Sequence, residues 1–135
     1  MNITVSGSLK FFDEMILIKD RLESFGHSVA LPQKFPDTDY DNKSASKGAE
    51  NIVRYNAIME HYEKILRSDA VLVTNYDKDG IANYIGGNTF LEMGFAYVND
   101  KGLFVLNPLP TEVNYLEEML GMQPIILHGD LTKIR

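Results

Sequence analysis

The sequence predicts an α/β fold: one parallel five-stranded sheet with helices on both faces. Three observations carry this. Short aliphatic segments alternate with segments of helical periodicity along the chain, which is the pattern of βαβ units. The stretch Asp69 to Asn75 is apolar at successive rather than alternate positions, as a strand covered on both faces must be. The chain has 135 residues and no cysteine, which suits one domain, 1–135, whose core needs no disulfide.

In chain order, Asn2 to Ser6 reads as the first strand, ending in the turn Gly7-Ser8. Phe11, Met15, Ile18, Leu22 and Phe25 follow at helical spacing, and Gly26 stops that helix. His27 to Leu31 is the second strand. Pro32 to Gly48 holds two prolines, three aspartates and three lysines; it is too long for an ordinary connection and is expected as a lid or a disordered loop. Ile52, Tyr55, Met59, Tyr62 and Leu66 mark one helix, and Asp69 to Asn75 the third strand. Tyr76 to Gly87, rich in Gly, Asp and Asn, reads as a loop.

Asn88 to Val98 is a helix, apolar nearly all round and therefore predicted to be buried. Gly94 inside it implies close packing, because glycine costs a helix about 1 kcal/mol relative to alanine. Leu103 to Leu106 is a strand, Thr111 to Met119 a short helix and Pro124 to Leu127 the last strand. Five strands joined this way suggest the flavodoxin-like, Rossmann-like order 2-1-3-4-5. The ligand crevice then lies at the strand C-termini, where strands 1 and 3 part.

Charge and missing motifs narrow the function. Nineteen acidic residues against 13 basic, a formal charge of -6, oppose a nucleic-acid polymer as partner. No stretch is apolar for long enough to span a membrane. The N-terminal residues lack the basic and apolar regions of a signal peptide, so the cytoplasm is the expected location. His27, His61 and His128 show no metal-ligand spacing, and there is no P-loop, no G-x-G-x-x-G after the first strand and no G-x-S-x-G. The expectation is a small ligand, with neither metal nor organic cofactor.

Three crevice segments carry the candidate residues. Ser6, Gly7 and Ser8 end the first strand: the glycine admits a close ligand and Ser8 can donate to a phosphate, or the segment is a tight turn with a serine cap. Gly86, Gly87 and Asn88 precede free backbone N–H groups at a helix start, which suits an anion. Glu92 is the one carboxylate on its helix before Asp100. It either closes a capping box with Thr89 or points into the crevice, kept ionised by the helix N-terminus as a nucleophile requires. His61 falls on the apolar side of its helix, with Glu60, Glu63, Lys64 and Arg67 on the solvated side. It is either a buried histidine bonded to a carbonyl or an acid or base of the site.

The run Ser68 to Val73, the glycine-rich loop, Glu92-Met93-Gly94-Phe95-Ala96 and then Lys101 to Leu106 resemble the nucleoside 2-deoxyribosyltransferase-like superfamily. That group includes deoxyribosyltransferases and nucleoside 5′-monophosphate N-glycosidases. The resemblance runs from about Ile3 to Leu106, and Gly7-Ser8 matches the glycosidase branch. It implies that Glu92 is a nucleophile taking the anomeric carbon, in the manner of a retaining glycosidase. It also implies that Ser6, Gly7, Ser8, Gly86, Gly87 and Asn88 contact ligand or phosphate, and that copies of the chain assemble as a dimer or larger.

Two positions depart from the family pattern. His61 stands where the family carries an aspartate, and Gly86 to Thr89 lack the carboxylate that deoxyribosyltransferases place before the nucleophile. These departures count against transfer and leave hydrolysis with His61 as proton donor, while the missing aspartate favours a binding role without turnover. A non-catalytic nucleotide sensor is the alternative.

Overall fold

The structure, a computed structural model, describes residues 1–135. In chain order it contains β1 (Asn2–Gly7), α1 (Phe12–Ser24), β2 (Ser28–Ala30), α2 (Ala45–Arg54), α3 (Ala57–Leu66) and β3 (Ala70–Thr74). There follow β4 (Tyr76–Lys78), β5 (Ile81–Tyr84), α4 (Gly87–Val98), β6 (Gly102–Val105), α5 (Leu116–Gly121) and β7 (Ile125–Ile126). The main sheet runs β2-β1-β3-β6-β7 with every pair parallel. This is the 2-1-3-4-5 order the sequence predicts. No helix is long and apolar enough to cross a membrane.

Strand alternation divides the core in two. Ile3, Leu72 and Phe104 face α1, packing with Ile18 and Leu22. Val71, Val73, Leu103 and Val105 face the other side, against Ile65 of α3, Met93 and Ala96 of α4 and Met119 of α5. The alternation fails on one strand: Thr4 and Ser6 of β1 are polar and fully buried. Thr4 bonds to Ser68 beside α3, so its polarity is satisfied locally. Ser6 belongs to the site described below.

Five expectations need correction. The helix predicted over Ile52 to Leu66 is two helices. Ser44 caps α2 by accepting from the Lys47 N–H at 3.1 Å, so the helix begins inside the segment read as a loop. It ends before Asn56, which adopts φ 49°, a left-handed conformation asparagine tolerates. The break lets α2 turn over the end of the sheet. The segment before it is ordered: Tyr40 Oη accepts from the Phe35 N–H at 2.8 Å, and Asn51 donates to Thr38 at 3.1 Å.

The loop predicted over Tyr76 to Gly87 contains an antiparallel hairpin, β4-β5. Its turn residues Asp79 and Gly80 have φ of 53° and 77°, the paired positive values that Asp-Gly turns supply. α4 is not buried all round: Leu91, Tyr97 and Val98 are exposed, because the helix has a sheet on one side only. A Cβ on Gly94 would meet nothing within 4 Å, so that glycine makes no close contact within the chain. In the C-terminal segment Met119 is fully buried, and Leu116 and Met122 pack on the same core, leaving Leu120 exposed.

One buried amide ties the loops at the strand C-termini together. Asn75, fully buried, donates to the carbonyls of Asn83, Asn107 and Pro108 at 3.0–3.2 Å and accepts from the Asn107 N–H at 2.9 Å. Asn75→Ala leaves these groups without partners inside the protein. It is expected to cost about 2–4 kcal/mol at roughly 1 kcal/mol per bond, read as a lower urea midpoint. A loss below about 1 kcal/mol would show that water replaces the amide without penalty.

Candidate active site

A cavity of about 260 Å³ opens at the C-terminal ends of β1 and β3, near the lower bound of small-ligand sites, about 300 Å³. Its walls come from Gly7 at the end of β1 and Ser8 after it, the segment before α2, the helices α2 and α3, the hairpin, and the start of α4. Gly7 is required by its neighbour: a Cβ would press on Thr74 Oγ1 and lie 2.7 Å from the Thr74 carbonyl oxygen. That close pairing of β1 with β3 shapes the floor.

Glu92 and His61 meet on this floor, although they lie on different helices. His61 Nε2 is 3.4 Å from Glu92 Oε2, with the side chains 6% and 11% exposed respectively. Ser6 Oγ lies 3.1 Å from the same nitrogen and also hydrogen-bonds Glu92. The buried polar position on β1 is thereby explained: Ser6 does not line the cavity but lies under it, holding the pair. The capping-box alternative for Glu92 falls away. The helix cap is Gly86, not Thr89, which places Glu92 in the second turn.

The same shift decides the ionisation. A helix N-terminus acts mainly within its first turn, so its field does not hold Glu92 charged. Burial raises the Glu92 pKa to about 8, against weaker opposing effects of the Ser6 hydrogen bond and the Lys64 charge. Burial likewise lowers His61 to about 4, helped by Lys64 and opposed by a bond to the Val5 backbone. At neutral pH burial therefore favours the neutral forms of both groups, not a salt bridge.

This pair has a signature in stability. The contribution of Glu92, whose pKa is raised, is full below pH 4.5 and lost as pH rises to about 8. That of His61, whose pKa is lowered, is present above pH 6.5 and lost as pH falls to about 4. Between pH 4.5 and 6.5 the two slopes cancel. From pH 6.5 to 8 only the Glu92 slope remains, and stability is expected to fall by about 2 kcal/mol at ~1.4 kcal/mol per unit. Urea unfolding at both pH values reads this, and Glu92→Gln should remove the difference. An equally flat wild type would mean that Glu92 is charged throughout.

Of the other sequence candidates, Gly7, Ser8, Gly86, Gly87 and Asn88 all line the cavity. Glu60 and Lys64, read from helical spacing as solvated, line it too. The segment before α2 covers that flank of α3, and Lys64 Nζ donates to the Leu31 carbonyl at 3.0 Å while pairing with Glu60 at 3.2 Å. Lys43, Lys78, Tyr84 and Gln33 are further wall residues that periodicity does not single out. The side-chain oxygen of Gln33 is buried without a hydrogen-bond partner, so an N–H from a ligand would satisfy it.

No family model matches the sequence, and no curated protein matches it. Two solved structures share its architecture. One is a 2-deoxyribosyltransferase from the psychrotolerant bacterium Bacillus psychrosaccharolyticus, 17% identical, with a TM-score of 0.57 over 86% of this chain and 79% of that one. The other is the CMP N-glycosidase of Clostridium botulinum, 15% identical, with a TM-score of 0.52 over 95% and 90%. At these identities the likeness establishes the fold.

Proposed function

We propose that the protein cleaves the N-glycosidic bond of a nucleoside or nucleotide, with Glu92 as nucleophile and His61 as proton carrier. The observation that carries this reading is the Glu92–His61 contact of 3.4 Å on the floor of the cavity. Both structural neighbours, by name, act on nucleosides or nucleotides.

The chemistry balances with the one proton of the neutral Glu92 carboxyl. Transfer from Glu92 to His61 produces a carboxylate and an imidazolium. The carboxylate oxygen bonds to C1′ as the C1′–N bond breaks, and the base leaves with its electron pair and takes the proton from His61. Water then attacks C1′, His61 accepts its proton, and the Glu92 ester bond breaks, restoring the pair. Lys64 favours the ionised form of Glu92 during the first step. Gly7, Ser8 and the Gly86–Asn88 backbone hold the sugar and its 5′ side, and Gln33 faces the base. Exposed Leu91, Tyr97 and Val98 on α4 support an assembly of two or more copies.

The test is release of free base, followed by chromatography, from a panel of ribo- and deoxyribonucleosides and their 5′-phosphates. Release that Glu92→Gln removes supports the enzyme. Ligand-induced thermal stabilisation by one panel member, with no release from any, favours a sensor.

A further inference from the structure

Three lysines from separate parts of the chain lie near one another by Ser8, two of them, Lys43 and Lys78, lining the cavity. Lys78 of β4 donates to Ser8 Oγ at 3.1 Å. Lys43, from the segment before α2, also lines the cavity. Lys10 follows Ser8 on the turn leading into α1, and its own N–H bonds Ser8 Oγ at 3.3 Å. Of the three, only Lys10 has a carboxylate partner, an exposed Asp41 at 3.9 Å. Burial lowers the Lys78 pKa first; Asp79 opposes this, while Lys43 and Lys10 add repulsion. In a chain of net charge -6, such a gathering of cations raises the free energy of the empty protein, and a bound anion reverses the sign.

Its place relative to the Glu92 floor sets the size of the anion. Ser6 touches Glu92 and His61, and Ser8 lies two residues further along the chain, ~6.6 Å at 3.3 Å per residue. A nucleotide with C1′ at Glu92 therefore brings its 5′-oxygen to Ser8 and Lys78. One phosphoryl group occupies that corner. Lys43 and Lys10 add two further positive charges close enough to act on Lys78, more than a single phosphate dianion neutralises.

We infer that this site takes a 5′-pyrophosphate chain, so that the substrate is a nucleoside 5′-diphosphate or triphosphate rather than a monophosphate. The first phosphoryl group is held by Ser8 and Lys78, and the second by Lys43 and Lys10. The inference rests on the reading of Glu92 as the centre that meets C1′, but its test does not require turnover.

Titration calorimetry of the intact chain with inorganic pyrophosphate and with orthophosphate, at constant ionic strength, measures the site directly. Pyrophosphate is expected to bind at least tenfold more tightly than orthophosphate. Lys43→Gln and Lys78→Gln should each erase most of that margin, while Lys133→Gln, away from the cavity, leaves it intact. Equal affinities for the two anions, or a margin indifferent to both cavity variants, overturn the inference. Because neither probe has a glycosidic bond, a failure here is distinct from a failure of the base-release panel. Pyrophosphate preference without base release retains the site and removes the glycosidase. Base release from monophosphates without pyrophosphate preference does the reverse.

Discussion

Glu92→Gln is expected to reduce base release by at least on the order of 10³-fold, the scale on which removal of a covalent nucleophile acts. The amide is nearly isosteric and still bonds Ser6 and His61, so the fold should survive. Above pH 6.5 the variant should be more stable than the wild type, because it no longer has a buried acid that resists ionisation. An inactive variant with unchanged or raised stability assigns the loss to chemistry. A variant retaining a tenth or more of the wild-type rate would remove Glu92 from the reaction and leave His61 with some other nucleophile, such as water. Single-turnover mixing followed by mass analysis should show a sugar adduct on the wild-type chain that the variant lacks.

His61→Ala is expected to lower the rate by about 10²–10⁴-fold, the usual contribution of a positioned proton donor. A second readout separates this role from a structural one. A substrate whose base carries an alkyl group, and is already cationic, leaves without needing a proton. Its cleavage should be nearly indifferent to His61→Ala, while that of the unmodified counterpart falls. Equal losses on both substrates would mean that His61 only supports Glu92. The wild-type rate on unmodified substrate should also decline as pH passes about 8, where the pair gives up its one proton.

The order of the sheet was legible because the signals that specify it are local. Period-2 and period-3.6 runs, bounded by Gly26 and by Asn107-Pro108, mark elements whatever their surroundings, and βαβ connection rules then leave few arrangements. Asp79-Gly80 was equally legible as a hairpin turn; reading Tyr76 to Gly87 by composition alone hid it. The Asn56 break was harder, since asparagine inside a helix is ordinary and only the left-handed φ of this one parts α2 from α3.

The sequence by itself determined that the chain is an α/β domain with a crevice at the ends of β1 and β3, and that Glu92 and His61 are the groups to watch. Tertiary structure alone decided that they meet, that Ser6 lies beneath them, and that Glu60, Lys64, Lys43 and Lys78 border the cavity. It also left Glu92 neutral at neutral pH, where the sequence suggests a carboxylate. Helical spacing describes one helix against one flat face, whereas α3 is covered on a second flank by a segment far away in sequence. A carboxyl pKa likewise sums over neighbours from several elements and over the water they exclude. The relevant distances and burial exist only once β1, α3 and α4 have packed together.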